Sequence, residues 1–203
     1  MGVSQWIKNY ERPKAGREIR EIYLSEVVVA RVEASGLGIL RDCFTTGLDD
    51  NLLSAFIERW HPDTNTFHMP FGGISIMLHD VQHILGIPVT GERSDDRVNA
   101  QLLPLFDSLD RVGSYAWCAA CLAYLYLQLG TASRRDGTGV SGCLPLLQAW
   151  IYEYFPKFQP GAGFFLEDRP LIETWDRLPR AKGDSQTFQM YRHSLDDLSS
   201  EHV

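Results

Sequence analysis

Between Arg111 and the pair Arg134 and Arg135, the chain runs through Val112–Ser133 without one formally charged residue. A stretch like this has two homes, a membrane or a protein interior, because apolar surface left in water is unfavourable. Its strongly apolar part, Tyr115–Leu127, falls short of the roughly 20 residues that span a bilayer, and Gly113, Ser114, Gln128 and Gly130 dilute its ends. The reading is a buried helix of a soluble domain. With 203 residues, 44% of them hydrophobic and 11% aromatic, the chain is long and apolar enough for one packed core.

Periodicity organises the rest. A polar arm, residues 1–16, is broken by Pro13 and precedes a predicted helix from Glu18 to Ala34, with Ile19, Ile22, Tyr23 and Val27 on one side. Asp49 and Asp50 introduce Leu53, Phe56, Ile57 and Trp60, an i, i+3, i+4, i+7 stripe that predicts an amphipathic helix. From Thr64 to Ile76 the pattern predicts two short strands around a turn at Gly72–Gly73. Leu78–Leu85 reads as a short helix, with Asp80 in its first turn and Gly86 and Pro88 closing it. Pro104–Asp110 predicts a helix leading into the uncharged one, and Leu147, Trp150, Ile151 and Tyr154 mark the next. Seven Pro and Gly residues between Pro156 and Gly183 predict an extended connector. Phe188, Tyr191, Leu195 and Leu198 then form a last helical stripe. The expected fold is mainly α, one helical domain with one small β-hairpin. Its parts are the arm at 1–16, a helical domain at 17–155, and the connector with the C-terminal helix at 156–203. The expected core holds Phe56, Ile57, Trp60, Phe67, Val81, Leu85, Trp117, Leu122, Leu125, Leu147 and Trp150.

No constellation of catalytic residues emerges. The formal charge of −7, with lysine only at positions 8, 14, 157 and 182, opposes a phosphate-tracking surface and hence direct nucleic-acid binding. His79 and His83 share a helical spacing with Asp80 between them, but the general-base Glu of a zinc hydrolase motif is absent and no third ligand is nominated. Cys118 and Cys121 form a C-x-x-C inside an apolar run, without a second pair, and read as small buried side chains. Four cysteines and no apolar leader after the start point to a reducing, intracellular setting. Gly139–Cys143 misses the last glycine of a nucleophile elbow, and Gly161–Gly163 lacks the third glycine of a dinucleotide loop. Asp49 with Asp50, and Asp95 with Asp96, read as caps or solvated charge. The expectation is no catalytic residue, no metal and no cofactor. Phe164, Phe165 and Trp175, large rings in the connector, are the candidates for contact with a partner.

Several segments together resemble a known family. They are Gly36-Leu37-Gly38, Leu52–Trp60, Thr66-Phe67-His68, Leu78, Asp80-Val81, Leu85–Val89 and Gly91, followed by Tyr115-Ala116-Trp117, Leu122–Tyr126, Gly142-Cys143, Leu146–Trp150, Tyr191-Arg192 and Leu195-Asp196. The sequence is identified as a member of the plant mobile domain family, transposon-associated and also labelled aminotransferase-like, which occurs in maintenance-of-meristems-like proteins and some long-form plant protein phosphatases. Its motif positions here, read as structural, are Trp60, Phe67, His68, Asp80, Gly86, Pro88, Gly91, Tyr115, Trp117, Tyr126, Gln148 and Trp150. The chain departs from the pattern at Gly73, where an acidic residue is usual, at Met77 for a capping Thr, at Cys118 for Gly, and at Leu127 for Arg. It also looks shortened near 91–102. A pyridoxal enzyme needs a Schiff-base lysine in a cofactor pocket, and none is legible. The resemblance implies a nuclear, non-catalytic protein-interaction domain linked to transposon silencing, gene expression and meristem maintenance, with phosphatase-like nuclear partners and no membrane. The alternative is a transposase-derived DNA-binding or metal-dependent hydrolytic enzyme.

Overall fold

Asp49 ends a non-helical backbone and its carboxylate accepts the Leu52 N–H at 3.0 Å, so the first helix of the computed structural model, α1 (Asp50–Ile57), begins at a capped amide. The structure describes residues 48–87, 89, 115–134, 142–161, 170–176, 185–199 and 201. The arm, the helices predicted at 18–34 and 104–110, Pro88, Gly91, Asp95, Asp96, Phe164 and Phe165 lie outside them. Leu52, Leu53, Ala55, Phe56 and Ile57 are buried along α1. The helix stops three residues short of the end of its predicted stripe, and Trp60 stands in strand β1 (Trp60–His61) instead. Pro62 disfavours helical backbone at His61, and Trp60 and His61 pair with Phe67 and Thr66 instead. Trp60 stays in the core, pairing with Phe67 across the strands.

Strands β2 (Thr66–Met69) and β3 (Gly72–Ile74) form the predicted hairpin, and β1 adds a third antiparallel strand in the order β1-β2-β3. The turn falls at Pro70–Phe71 rather than at the glycines. Met69 pairs with Gly72, and Gly72 opens the returning strand at φ +135, which glycine adopts freely. Helix α2 (Leu78–Leu85) has its predicted limits and ends at Gly86 in the left-handed conformation, φ +67. Then come α3 (Trp117–Ala132), α4 (Leu144–Tyr154) with Pro145 in its first turn, a 3₁₀ turn at Pro156–Phe158, α5 (Leu171–Asp176) and α6 (Ser185–Asp196). Six α-helices and one small sheet among the described residues make the fold mainly α.

The core is aromatic at its centre. Trp150 of α4 stacks on Phe67 at 5.5 Å between ring centroids, while Phe56 meets Phe67, Phe155 and Phe158 edge-on. The indole N–H groups of Trp60 and Trp150 are buried without a hydrogen-bond partner, so packing alone holds these rings. Of the expected core, Trp117 and Leu122 are only half-buried. The connector also differs from its extended reading. Pro156 opens a 3₁₀ turn and Pro170 immediately precedes α5, positions at which proline favours a helix start instead of breaking a helix. Phe158, Ile172 and Trp175 thereby join the core, and Leu195 and Leu198 of the C-terminal segment lie in the same cluster.

Candidate functional site

Most motif residues that the structure describes form a buried polar and aromatic frame. Asp80, 4% exposed in the first turn of α2, accepts the Met77 N–H at 2.6 Å. Its other oxygen accepts the Tyr154 hydroxyl of α4 and lies 3.0 Å from His79 Nε2. Tyr126 of α3 donates to the Ile76 carbonyl and shares a hydrogen bond with Ser75 at 2.7 Å, and its ring packs on Trp60. Gln148, 1% exposed, accepts the Asp49 N–H at 2.8 Å, and Asp49 also accepts the Tyr191 hydroxyl of α6 at 2.7 Å. The frame thus ties α1, α2, α4 and α6 through three carboxylate or amide side chains. Burial, reinforced by Asp80, pushes the Tyr154 phenol up to about 12, and burial with Asp49 raises Tyr191 as well. Tyr126 is raised by burial, against the lowering effect of its bond to Ser75. Of the remaining motif positions, His68 is exposed and stacks on His61 at 4.6 Å, and Tyr115 is half-buried with its ring edge-on to Trp117.

Helix α3 behaves differently. It is uncharged and mostly apolar, yet only Cys118, Leu125 and Leu129 are fully buried. A helix of this composition is normally covered on every side. Here Ala123, Leu127 and Thr131, spaced i, i+4, i+8, form an exposed stripe, with Leu127 57% exposed. This corrects the expectation of a buried helix: α3 buries one edge and presents the opposite one. Trp175 needs the reverse correction. It is 2% exposed, and its indole donates to Glu153, so it is a core residue and not a contact ring.

Neither sequence-level metal idea gathers ligands. His79 is turned to Asp80, His83 is exposed one turn on, and among the described residues no group of three His, Cys, Asp or Glu side chains is placed to hold an ion. Cys118 directs its sulfur at the Ile87 carbonyl, 3.2 Å away, and burial pushes its thiol up to about 11. Among the described residues, no helix is long and apolar enough to cross a membrane.

Residues 36–93 and 91–203 match the sequence profile of the plant mobile domain. The chain belongs to the plant mobile domain family. It is similar to Protein MAINTENANCE OF MERISTEMS of Arabidopsis thaliana, 28% identical over 253 aligned positions that cover 89% of this chain and 52% of the relative. Protein MAIN-LIKE 1 of the same plant is 26% identical, covering 89% of this chain and 50% of the relative. A serine/threonine-protein phosphatase 7 long form homolog from Arabidopsis is 26% identical over 70% of this chain and 16% of that protein. The chain spans about half the length of the first two. No solved structure matches. The 253 aligned positions exceed the 203 residues of this chain, so that relative carries residues with no counterpart here.

Against the plant mobile domain pattern, two departures stand out in three dimensions. Met77 and Leu127, which replace an expected Thr and Arg, are two of the three large apolar side chains exposed among the described residues, Met190 being the third. The apolar surface of α3 is therefore a property of this chain's own residues. Sequence reasoning missed it because an uncharged run signals burial and does not say which edge is covered.

Proposed function

We propose that this plant mobile domain is a non-catalytic protein-interaction domain of transposon-associated origin, acting in the nucleus, and that the outer face of α3 is its contact surface. The observation that carries the reading is the exposed Leu127 on a helix without charge, since a large apolar side chain kept in solvent on such a helix suits contact with another protein. The names of the relatives, with the meristem and phosphatase proteins among them, support a regulatory setting. The partner is another protein, with phosphatase-like nuclear proteins the first to test. The acidic balance of the chain, −7, supports protein over nucleic acid.

The test is affinity capture from plant nuclear extract by the full chain and by Leu127→Glu, beside assays of duplex DNA binding, nuclease and transaminase activity. The reading expects defined partners that disappear with Leu127→Glu while helical circular dichroism is kept. Salt-sensitive duplex binding that persists at about 150 mM salt, or metal-dependent hydrolysis, would favour an enzyme or DNA-binding origin instead.

A further inference from the structure

Cys143 is the N-cap residue of α4, and Gly142 before it holds φ +114, a conformation open to glycine. A Cβ at Gly142 would stand 3.4 Å from Gln128 Cγ and 3.7 Å from Tyr124 Cδ1, so this turn lies directly on α3. Cys121, Tyr124 and Gln128 share one face of that helix at i, i+3 and i+7. The turn therefore sets Cys143 beside Cys121, with the two thiols in hydrogen-bonding reach of each other. Both are free and partly buried, packed against the core. Cys118 points elsewhere, to the Ile87 carbonyl.

The two sulfurs are not equivalent. Cys143 stands at the positive end of α4, where the Leu146 amide favours its anion, and a hydrogen bond from Cys121 does so more strongly; both lower its pKa against the opposing effect of burial. That same bond, with burial, raises Cys121. Its place at the start of α4 makes Cys143 the attacking sulfur of the pair, with Cys121 the sulfur that resolves it.

We propose that Cys121 and Cys143 are a peroxide-sensitive pair that closes to a disulfide, stapling α3 to the start of α4. The Cys143 thiolate attacks one peroxide oxygen, the O–O bond breaks, and hydroxide leaves to take up a proton as water. Cys143 is then a sulfenic acid. The Cys121 sulfur attacks it, the S–O bond breaks, and the departing hydroxyl takes the Cys121 proton as a second water. One hydrogen peroxide is reduced to two waters while two thiols are oxidised to one disulfide. Because α3 bears the exposed apolar face, closure fixes that face relative to the core; the chemistry itself stands whether or not α3 binds a partner.

The experiment treats the full chain with hydrogen peroxide, blocks remaining thiols by alkylation, and maps peptides by mass spectrometry with and without reductant. The expected result is a Cys121–Cys143 cross-linked peptide, two hydrogens lighter than the reduced pair and released by reductant, with two of the four thiols lost. Cys121→Ser should leave Cys143 trappable by dimedone as the sulfenic acid, Cys143→Ser should abolish both products, and Cys118→Ser should change neither. Full alkylation of Cys121 and Cys143 after treatment, a cross-link through Cys43 or Cys118, or Cys143 carried to the sulfinic acid without cross-linking would overturn the proposal. All of these are read on the wild-type chain, so the result does not depend on whether a variant folds.

Discussion

The aromatic cluster around Trp150 and the helix α3 are both apolar, and they use that property in opposite ways. At the cluster, Trp150, Phe67, Phe56 and Phe155 contact one another on all sides and are fully buried. On α3, Cys118, Leu125 and Leu129 face inward while Ala123 and Leu127 face out. Apolar composition alone does not separate a core element from a contact surface. What separates them is how many sides other elements cover: among the described residues α3 packs on α2, β1 and the turn at Gly142, and its edge at Ala123 and Leu127 stays exposed.

The largest test of this contrast is truncation in the cluster. Trp150→Ala should cost about 3–5 kcal/mol, as removal of a fully buried aromatic side chain does, whereas Leu127→Ala should stay within about 0.5 kcal/mol. Chemical denaturation of the two variants measures both, and equal losses would show that Leu127 is a core residue. Next in size is Asp80→Ala, which strips acceptors from the Met77 N–H and the Tyr154 hydroxyl at once and should destabilise by about 3 kcal/mol. Tyr154→Phe, which removes only the hydroxyl, should cost about 1 kcal/mol by the same measurement.

The pH dependence of stability follows from the same frame. The folded state holds the Tyr154 phenol at about 12 against 10.0 for an ordinary tyrosine, so ionisation is easier in the unfolded chain. The associated stability is complete below pH 10 and is lost as pH rises toward 12. Thermal melts from pH 8 to 11.5 should show a progressive fall in midpoint starting near pH 10, reduced in Tyr154→Phe.

Smaller still is the effect at the N-terminus of α2. Asp80 supplies one half of a capping box there, but the N-cap residue is Met77, in extended backbone at φ −102 and ψ 164 and without a side-chain oxygen. Met77→Thr should complete the box and raise stability by about 1 kcal/mol. Smallest is Arg59→Ala at the α1–α6 contact. There the guanidinium meets Asp196 and the Arg192 carbonyl, and the Asp196 carboxyl is held below its ordinary value by Arg59. Solvent screens that exposed pair, so Arg59→Ala should move the unfolding midpoint least of all these variants, and the small difference should vanish at high salt.

Helical stripes and the Asp49 cap were legible because each is local: a period, a capping carboxylate, a glycine stop. Strand β1 was not, since Trp60 continues the α1 stripe and only its pairing with Phe67, seven residues on, makes it a strand. The same limit explains Trp175. A proline- and glycine-rich segment reads as exposed, and nothing local says that Glu153 and Tyr152 of α4 receive its ring. Gln148 and Asp80 stand out as motif residues, but their partners Asp49 and Tyr154, and the Tyr191 hydroxyl that Asp49 accepts in turn, come from distant elements and follow only from the packing. The outward stripe of α3 was hidden for the converse reason, because burial was inferred from composition.

The central claim is that the outer edge of α3, unlike its buried edge, is a contact surface, and Leu127→Glu addresses it most directly. The purified variant and the wild-type chain are compared for unfolding midpoint and for partner capture from plant nuclear extract. The account predicts an unchanged midpoint together with loss of the captured partners. Capture at wild-type level by a folded Leu127→Glu chain, or collapse of its fold, would contradict it.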